Sequence, residues 1–390
     1  MGHDVVIEGV GVAGFAPTTP SLSWKELMYQ GASRAYEDAG GIDPRRDVDG
    51  FVTCAEDYWE GFGIFDEFTP DQMGGVLRPN FTVGGDGLHG LAQAFMLIRS
   101  GLMQRVVVEA HSKASDMTTP NDILAHAFDP IFHRPLGGHP HYLAGLEMSQ
   151  YLAATDTTET HCARVVAKNK GNAKRNALAS YDATTTVDDV LESEPLFDPL
   201  KRLDVAPLAD ACVVFVVADR EATLQEPDRL VHVEGVGGNQ DSPFPESRDP
   251  RDARGARLAA ELAYRTAHIE APQREIDIAE VDDQYSFKEL QHLEALHLAP
   301  RGEAASRLEQ GVYDAGGELP VNVSGGSLGV GNLLEAKGSA RALEVVVQLR
   351  GEAGARQVDS PTVGLAHAWR GLPTASHALA ILSSNGGGPR

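Results

Sequence analysis

Short apolar blocks recur along the chain at Val5 to Gly9, Gly50 to Thr53, Arg105 to Ala110, Cys212 to Ala218, Arg229 to Val236, Asp277 to Val281, Thr362 to Ala368 and Ala378 to Leu382. Their length, their Val, Ile and Ala content and the turn-forming or charged residues at their ends predict strands. Between them apolar positions follow helical spacing, as in Tyr142 to Thr155, Glu159 to Leu178 and Leu333 to Leu349. Strand and helix alternate, the pattern of an α/β body with helices covering a mostly parallel sheet. No apolar run approaches the roughly 18 residues that a membrane-spanning helix needs.

The pattern repeats. The motif IEGVG at Ile7 to Gly11 returns as VEGVG at Val233 to Gly237, and Val48 to Phe51 matches Ile276 to Ala279. RPNFTVGG at Arg78 to Gly85 aligns without gaps with LPVNVSGG at Leu319 to Gly326, each ahead of an amphipathic stretch. Three matches in one order predict a divergent tandem duplication, with domains 1–226 and 227–390. About 113–205 forms an insertion rich in His, Pro and aromatic residues, including Phe128, Phe132, His133 and Tyr142. An excursion of that length in a compact protein is expected to be a lid or a binding loop.

Composition narrows the function. A net charge of −23 argues against nucleic acid or an anionic membrane surface as partner, because phosphate binding depends on Lys and Arg. One stretch departs from this background. Thr160 to Tyr181 holds no acidic residue and carries Arg164, Lys168, Lys170, Lys174 and Arg175, so that either an anionic small molecule docks there or the charges form a solvated helix face. Cys54, Cys162 and Cys212 are scattered and odd in number, which argues against disulfides and a zinc knuckle. His139 and His141 read as loop residues, and no metal centre is expected. The opening MGHDVVIEGVGVAGF enters a strand pattern with no basic or small-residue leader signature, which predicts a cytoplasmic protein.

The densest chemical signal is Pro320 to Gly354, where seven glycines allow close backbone approach and Asn332 is delivered to an expected helix start. This block, HCARVVAKNKGNAKRNALASY, PLKRLDVAPLADAC, VDDQYSFKELQHLEALHLAPRGEA and GLAHAWRG together resemble the thiolase superfamily, most closely its sterol-carrier-protein type. The resemblance spans nearly the whole chain. It implies the thiolase fold, with two duplicated α/β halves in a five-layered α-β-α-β-α body and an inserted loop domain.

The family's catalytic positions have changed. Aligned back from Ile98, Ser100 and Gly101, the position of the nucleophilic cysteine is Gly84, within Thr82-Val83-Gly84-Gly85-Asp86-Gly87. A glycine offers nothing for a helix N-terminus to activate. The family's Gly-His-Pro becomes Gly331-Asn332-Leu333, so an amide donor replaces a base. His367 in LAHAW matches the family's third position, and Asp282-Asp283-Gln284-Tyr285 stands at the fourth. Asp86 is expected to cap the helix that starts at Leu88, and Cys212 to be buried packing.

Without a nucleophile an acyl-enzyme route is lost, whereas donors able to hold a thioester enolate remain. The resemblance extends to thiolase-like aldolases that shorten steroid side chains with a small OB-fold zinc-ribbon partner. It implies retro-aldol cleavage of a β-hydroxyacyl-CoA to a ketone and acetyl-CoA or propionyl-CoA, with a steroid side chain as one candidate acyl group. The proton-transfer pair would be Tyr285 and His367, tuned by Asp282 or Asp283, with Asn332 and the Gly84, Gly85, Asp86 and Gly326 backbone on the thioester oxygen. The coenzyme A thioester would be a substrate contacted by the basic stretch, with no tightly bound cofactor. The competing readings are an acetyl-CoA acetyltransferase-type enzyme and a non-catalytic acyl-CoA- or lipid-binding subunit. A homodimer through the first domain's sheet is also implied.

Overall fold

The computed structural model describes residues 3–56, 65–242, 244–371 and 375–384. The first series of elements is β1 (Val5–Ala16), α1 (Trp24–Asp38), β2 (Gly50–Cys54), β3 (Asn80–Val83), α2 (Gly87–Arg99) and β4 (Arg105–Lys113). Helices α3 (Pro140–Ala154) and α4 (Glu159–Ala173) follow, and β5 (Asp210–Asp219) ends the series. The second comprises β6 (Val231–Gln240), α5 (Arg254–Ala267), β7 (Ile278–Glu280), α6 (Ser286–Ala295), α7 (Gly326–Val330), α8 (Lys337–Leu349), β8 (Val363–Trp369) and β9 (Ser376–Ser383). Each of the eight apolar blocks is a strand.

Both series use the same pairing rules, and the sheet is mostly antiparallel where strand–helix alternation predicts mostly parallel pairing. In the first, β2 runs parallel to β4 and to β3, β4 is antiparallel to β5, and β5 to β1. In the second, β7 is parallel to β8, β8 antiparallel to β9, and β9 to β6. The strand order is β3-β2-β4-β5-β1-β6-β9-β8-β7, the two sets meeting where Val6 and Ile7 face His232 and Val231. The repeat reaches single hydrogen bonds. Phe51 N–H donates to Pro79 O at 2.9 Å and Ala279 N–H to Pro320 O at 3.1 Å, the two positions that the motif alignment makes equivalent.

Helix α1 covers β1 and β5, and α5 covers β6 and β9. Between the two strand series, α2 touches β4 and β9 while α8 touches β8, β5 and α2. Three hydrophobic cores fill the five layers, with the middle one drawing Leu88, Leu91 and Ala94 from α2 and Ala342, Val345 and Val346 from α8. The repeated glycine motif has a steric cause. A Cβ on Gly9 or Gly11 would come within 2.5 Å of Ala35 O or 2.1 Å of Gly31 O on α1. One on Gly235 or Gly237 would meet Ala263 O at 2.3 Å or Ala259 O at 1.9 Å on α5. Each half thus seats its outer helix directly on strand backbone.

Two expected helices are shorter. The run read from Leu333 starts its α-helix at Lys337, because Gly331 (φ 119°) and Leu334 (φ 48°) turn the backbone away and Leu334–Ala336 form a 3-10 turn. Asn332 therefore sits in an isolated parallel bridge with Leu208 and not at a helix start. The stretch read to Leu178 stops at Ala173, since Asn176 Oδ1 accepts Leu178 N–H at 3.0 Å and its Nδ2 donates to Ser324 O at 2.9 Å. Among the described residues no helix is long and apolar enough to cross a membrane.

Candidate functional site

A cavity of about 660 Å³ opens between the two strand series and the inserted stretch. Met117, Pro120, Leu124, Ala127, Leu196, Leu203 and Val205 give it an apolar wall. The floor is polar, with Asp86, Gln284, Tyr285, Asn332, Glu335 and Lys337, and His139, His141, Lys170, Arg202 and Arg370 stand around it. Backbone bonds tie the end of the insertion to this floor. Ala206 N–H donates to Gln284 O (2.9 Å), Asn332 N–H to Pro207 O (2.7 Å) and Ala209 N–H to Asn332 O (3.1 Å).

Tyr285 precedes the first turn of α6 with an extended backbone, φ −125° and ψ 141°, which carries its ring back toward the insertion. The ring packs against Phe287 and Trp369, while the hydroxyl lies 3.0 Å from His141 Nδ1. His141 is fixed at the start of α3, where its N–H donates to the ring of His139, the N-cap residue, at 3.1 Å. Burial lowers His141 to about 4, with His139 adding to the effect, so the imidazole is neutral near pH 7. Burial also pushes the Tyr285 phenol well above its ordinary value, reinforced by Glu147. The site thus holds a neutral phenol against a neutral imidazole. From sequence His141 reads as a loop residue; its i, i+2 relation to His139 is visible there, but its partner lies 144 positions away.

His367 is not beside Tyr285. Its Nδ1 accepts Asp282 N–H at 3.4 Å and its Nε2 lies 3.1 Å from His377 Nδ1, in a buried group with His292. Asp282 forms ion pairs with Arg341 (3.0 Å) and Lys337 (3.3 Å). Burial alone would raise its pKa, but these two cations outweigh it and hold the carboxyl well below the usual range. Burial lifts Asp283 to about 6, and its carboxylate accepts Ser327 N–H at 2.6 Å, Leu328 N–H at 3.2 Å and Asn169 Nδ2 at 2.8 Å. Both aspartates organise the floor from beneath.

The glycines expected to form the oxyanion site divide. Gly326 N–H is taken by Ser324 Oγ at 3.0 Å, and a Cβ there would lie 2.1 Å from Asp283 Oδ2. Gly326 serves close approach to that carboxylate, not a thioester. Gly85 N–H donates to Val83 O at 2.9 Å and is likewise engaged. Gly84 is exposed, its carbonyl accepts Arg370 Nη1 at 3.1 Å, and a Cβ there would meet nothing within 4 Å. The missing nucleophile is therefore not a steric requirement of this backbone. Cys54, Cys162 and Cys212 are buried, with burial raising each thiol pKa, and none lines the cavity.

Asp86 caps α2, accepting Leu88 N–H at 2.9 Å, and also accepts Gly338 N–H at 2.9 Å in the first turn of α8. Its carboxylate stands at two helix N-termini, yet burial raises it to about 6. Asn332 Oδ1 accepts Leu334 N–H at 3.3 Å, and the residue lines the cavity. Lys337 Nζ bonds Gln284 Oε1 at 2.7 Å on the same floor.

The basic stretch forms no single exposed face. Lys168 is buried on Glu289 (3.1 Å) and Val321 O (2.9 Å), because α4 packs against the second strand series. Arg164 faces Glu309, Lys174 bonds Thr184 and Arg175 bonds Asn172. Of the five, Lys170 lines the cavity.

Residues 238–384 match the family model described as Thiolase C-terminal domain-like. An acetyl-CoA acetyltransferase of Methanothermobacter thermautotrophicus is 30% identical over 377 residues, covering 94% of this chain and 96% of that one. Sterol carrier protein 2 of Oryctolagus cuniculus is 29% identical over 284 residues, 71% of this chain and 51% of that protein, so the match spans about half of that relative's length. Among solved structures, the Ltp2-ChsH2(DUF35) aldolase superposes with a TM-score of 0.82 at 24% identity, covering 98% of each chain. Human mitochondrial 3-ketoacyl-CoA thiolase gives a TM-score of 0.74 at 13% identity over 98% of this chain and 99% of that one. These two likenesses bear on the fold. Identity at this level across nearly all of two chains, on a duplicated five-layered body, places the chain in the thiolase superfamily.

Proposed function

We propose that this protein is an acyl-CoA retro-aldolase, cleaving a β-hydroxyacyl-CoA to a ketone and a shortened acyl-CoA. The observation that carries the reading is the 3.0 Å contact between Tyr285 Oη and His141 Nδ1 on the floor of a cavity with no cysteine nucleophile. The substrate β-hydroxyl lies against the phenol and gives up its proton to the Tyr285–His141 pair. The Cα–Cβ bond breaks, its electron pair moves into the thioester as an enolate, and the β-carbon leaves as the ketone. Asn332 NH₂ and the Lys337 ammonium stabilise the enolate oxygen in a floor already fixed by hydrogen bonds. A proton returned to Cα completes the shortened acyl-CoA. His367 has no direct part in this sequence.

The apolar wall from the insertion suits a bulky acyl chain, and a steroid side chain is a candidate of that size. Lys170, with Arg202 across the cavity, is the group offered to the coenzyme A phosphates. The aldolase named among the solved structures is a two-component assembly, which supports a small OB-fold zinc-ribbon partner here. The strand at the edge of the first series, β3, supports a homodimer through that sheet. Co-expression with such a partner, followed by mass spectrometry of products from a branched β-hydroxyacyl-CoA, tests the reading. Ketone plus acetyl-CoA or propionyl-CoA supports it; binding without cleavage across a substrate series overturns it. The 30% identical acetyltransferase favours acyl transfer as the second reading, which predicts acyl exchange between two CoA esters in the same assay.

A further inference from the structure

Three imidazoles converge beneath the site, outside the chemistry proposed above. His292 on α6, His367 on β8 and His377 on β9 are buried, and one ring nitrogen of each lies within 4.8 Å of the other two. His292 Nδ1 is 2.9 Å from the carbonyl of Asp282, which only accepts, so Nδ1 carries the proton and Nε2 presents a lone pair. That Nε2 is buried and has no hydrogen-bond partner. A buried polar atom left unsatisfied is costly, and a ring N–H anchored on a backbone carbonyl is the usual support of a metal-ligating histidine.

We propose that His292, His367 and His377 bind one divalent transition-metal ion, with zinc the first candidate. Zinc–nitrogen bonds of about 2.0–2.1 Å place two ligands of a tetrahedral centre roughly 3.3 Å apart. His367 Nε2 and His377 Nδ1 are 3.1 Å apart, already near that spacing, and His292 closes the triangle. Ligation moves the His367 proton from Nε2 to Nδ1, and the long 3.4 Å bond from Asp282 N–H is the contact given up. The cations nearby are compensated: Lys288 pairs with Glu147, and Lys337 and Arg341 with Asp282.

The test is metal content and ligand field on the intact chain. Protein equilibrated with zinc and then dialysed should retain about one equivalent by mass spectrometry of the elements, and cobalt(II) should give the intense visible bands of a low-symmetry nitrogen site. His292→Ala and His377→Ala, with folding checked by circular dichroism, should each lose at least about tenfold in zinc affinity. His126→Ala, an exposed histidine outside the cluster, should bind as the parent does. Folded wild-type protein that retains no zinc and gives no cobalt bands overturns the proposal, even if both cluster variants fail to fold. Folded cluster variants with unchanged metal content overturn it equally.

Discussion

Tyr285 Oη lies 3.0 Å from His141 Nδ1, joining the start of α6 to the start of α3 across the cavity floor. The pair exists because the inserted stretch folds back over the second strand series.

Removing either partner separates chemistry from binding. Tyr285→Phe keeps the packing against Phe287 and Trp369 and should lower the cleavage rate by roughly 10²–10⁴ with little change in KM. His141→Ala should have a smaller effect of the same kind. Steady-state kinetics on a β-hydroxyacyl-CoA checks both, and full activity in Tyr285→Phe would remove that residue from the mechanism.

Burial holds His141 at about 4. Its neutral form therefore persists as pH rises and is lost as pH falls through about 4. The rate should show no imidazole titration between pH 6 and 8. A pH profile with an ascending limb near 6.5 that His141→Ala abolishes would contradict this assignment.

Two glycines should respond differently to the same change. Gly338→Ala puts a Cβ 1.9 Å from Asp86 Oδ1 and 2.7 Å from Ala368 Cβ and should destabilise by about 2–4 kcal/mol. Gly84→Ala points into open space and should stay within about 0.5 kcal/mol of the parent. Urea unfolding of the two variants side by side measures the contrast.

Glu280 is buried on β7, accepting Ser324 N–H at 3.0 Å, and burial with the nearby Glu344 raises it to about 8. A carboxyl raised on folding stabilises the protein fully below its unfolded value near 4.5, and that contribution is lost as pH rises through about 8. Glu280→Gln should remove this loss, and above pH 8 its melting temperature should exceed that of the parent. Melting curves from pH 5 to 9 that run parallel for the two proteins would refute the assignment.

Lys170→Ala should raise KM for a CoA ester about tenfold, the loss of one charge-assisted hydrogen bond to phosphate. Lys174→Ala, whose ammonium is held by Thr184 at 2.7 Å, should leave KM unchanged. Equal effects would return the phosphate contact to the whole helix face.

What the sequence carries most plainly is the duplication, because its cause is local. The IEGVG and VEGVG motifs must be glycine wherever a helix rests on strand backbone, and the RPNFTVGG and LPVNVSGG blocks keep their register hydrogen bonds. Asp86 as a cap was equally legible, being a two-residue relation. The site was harder to read. His141 and Tyr285 meet over 144 positions, and His292, His367 and His377 come from one helix and two strands, so no spacing rule joins them. Lys168 misled for the opposite reason: its charge is visible in sequence, but Glu289, which buries it, comes from another element.

Asp86 belongs to the first strand series, yet one of its oxygens holds the opening turn of a helix from the second. That single carboxylate works as a rivet through the middle layer. A fragment carrying either half by itself would leave one side of the rivet empty and its helix start unclamped. Splitting the chain between the halves should therefore yield two insoluble pieces that recover only when made together, so the chamber is a property of the joined halves and of neither alone.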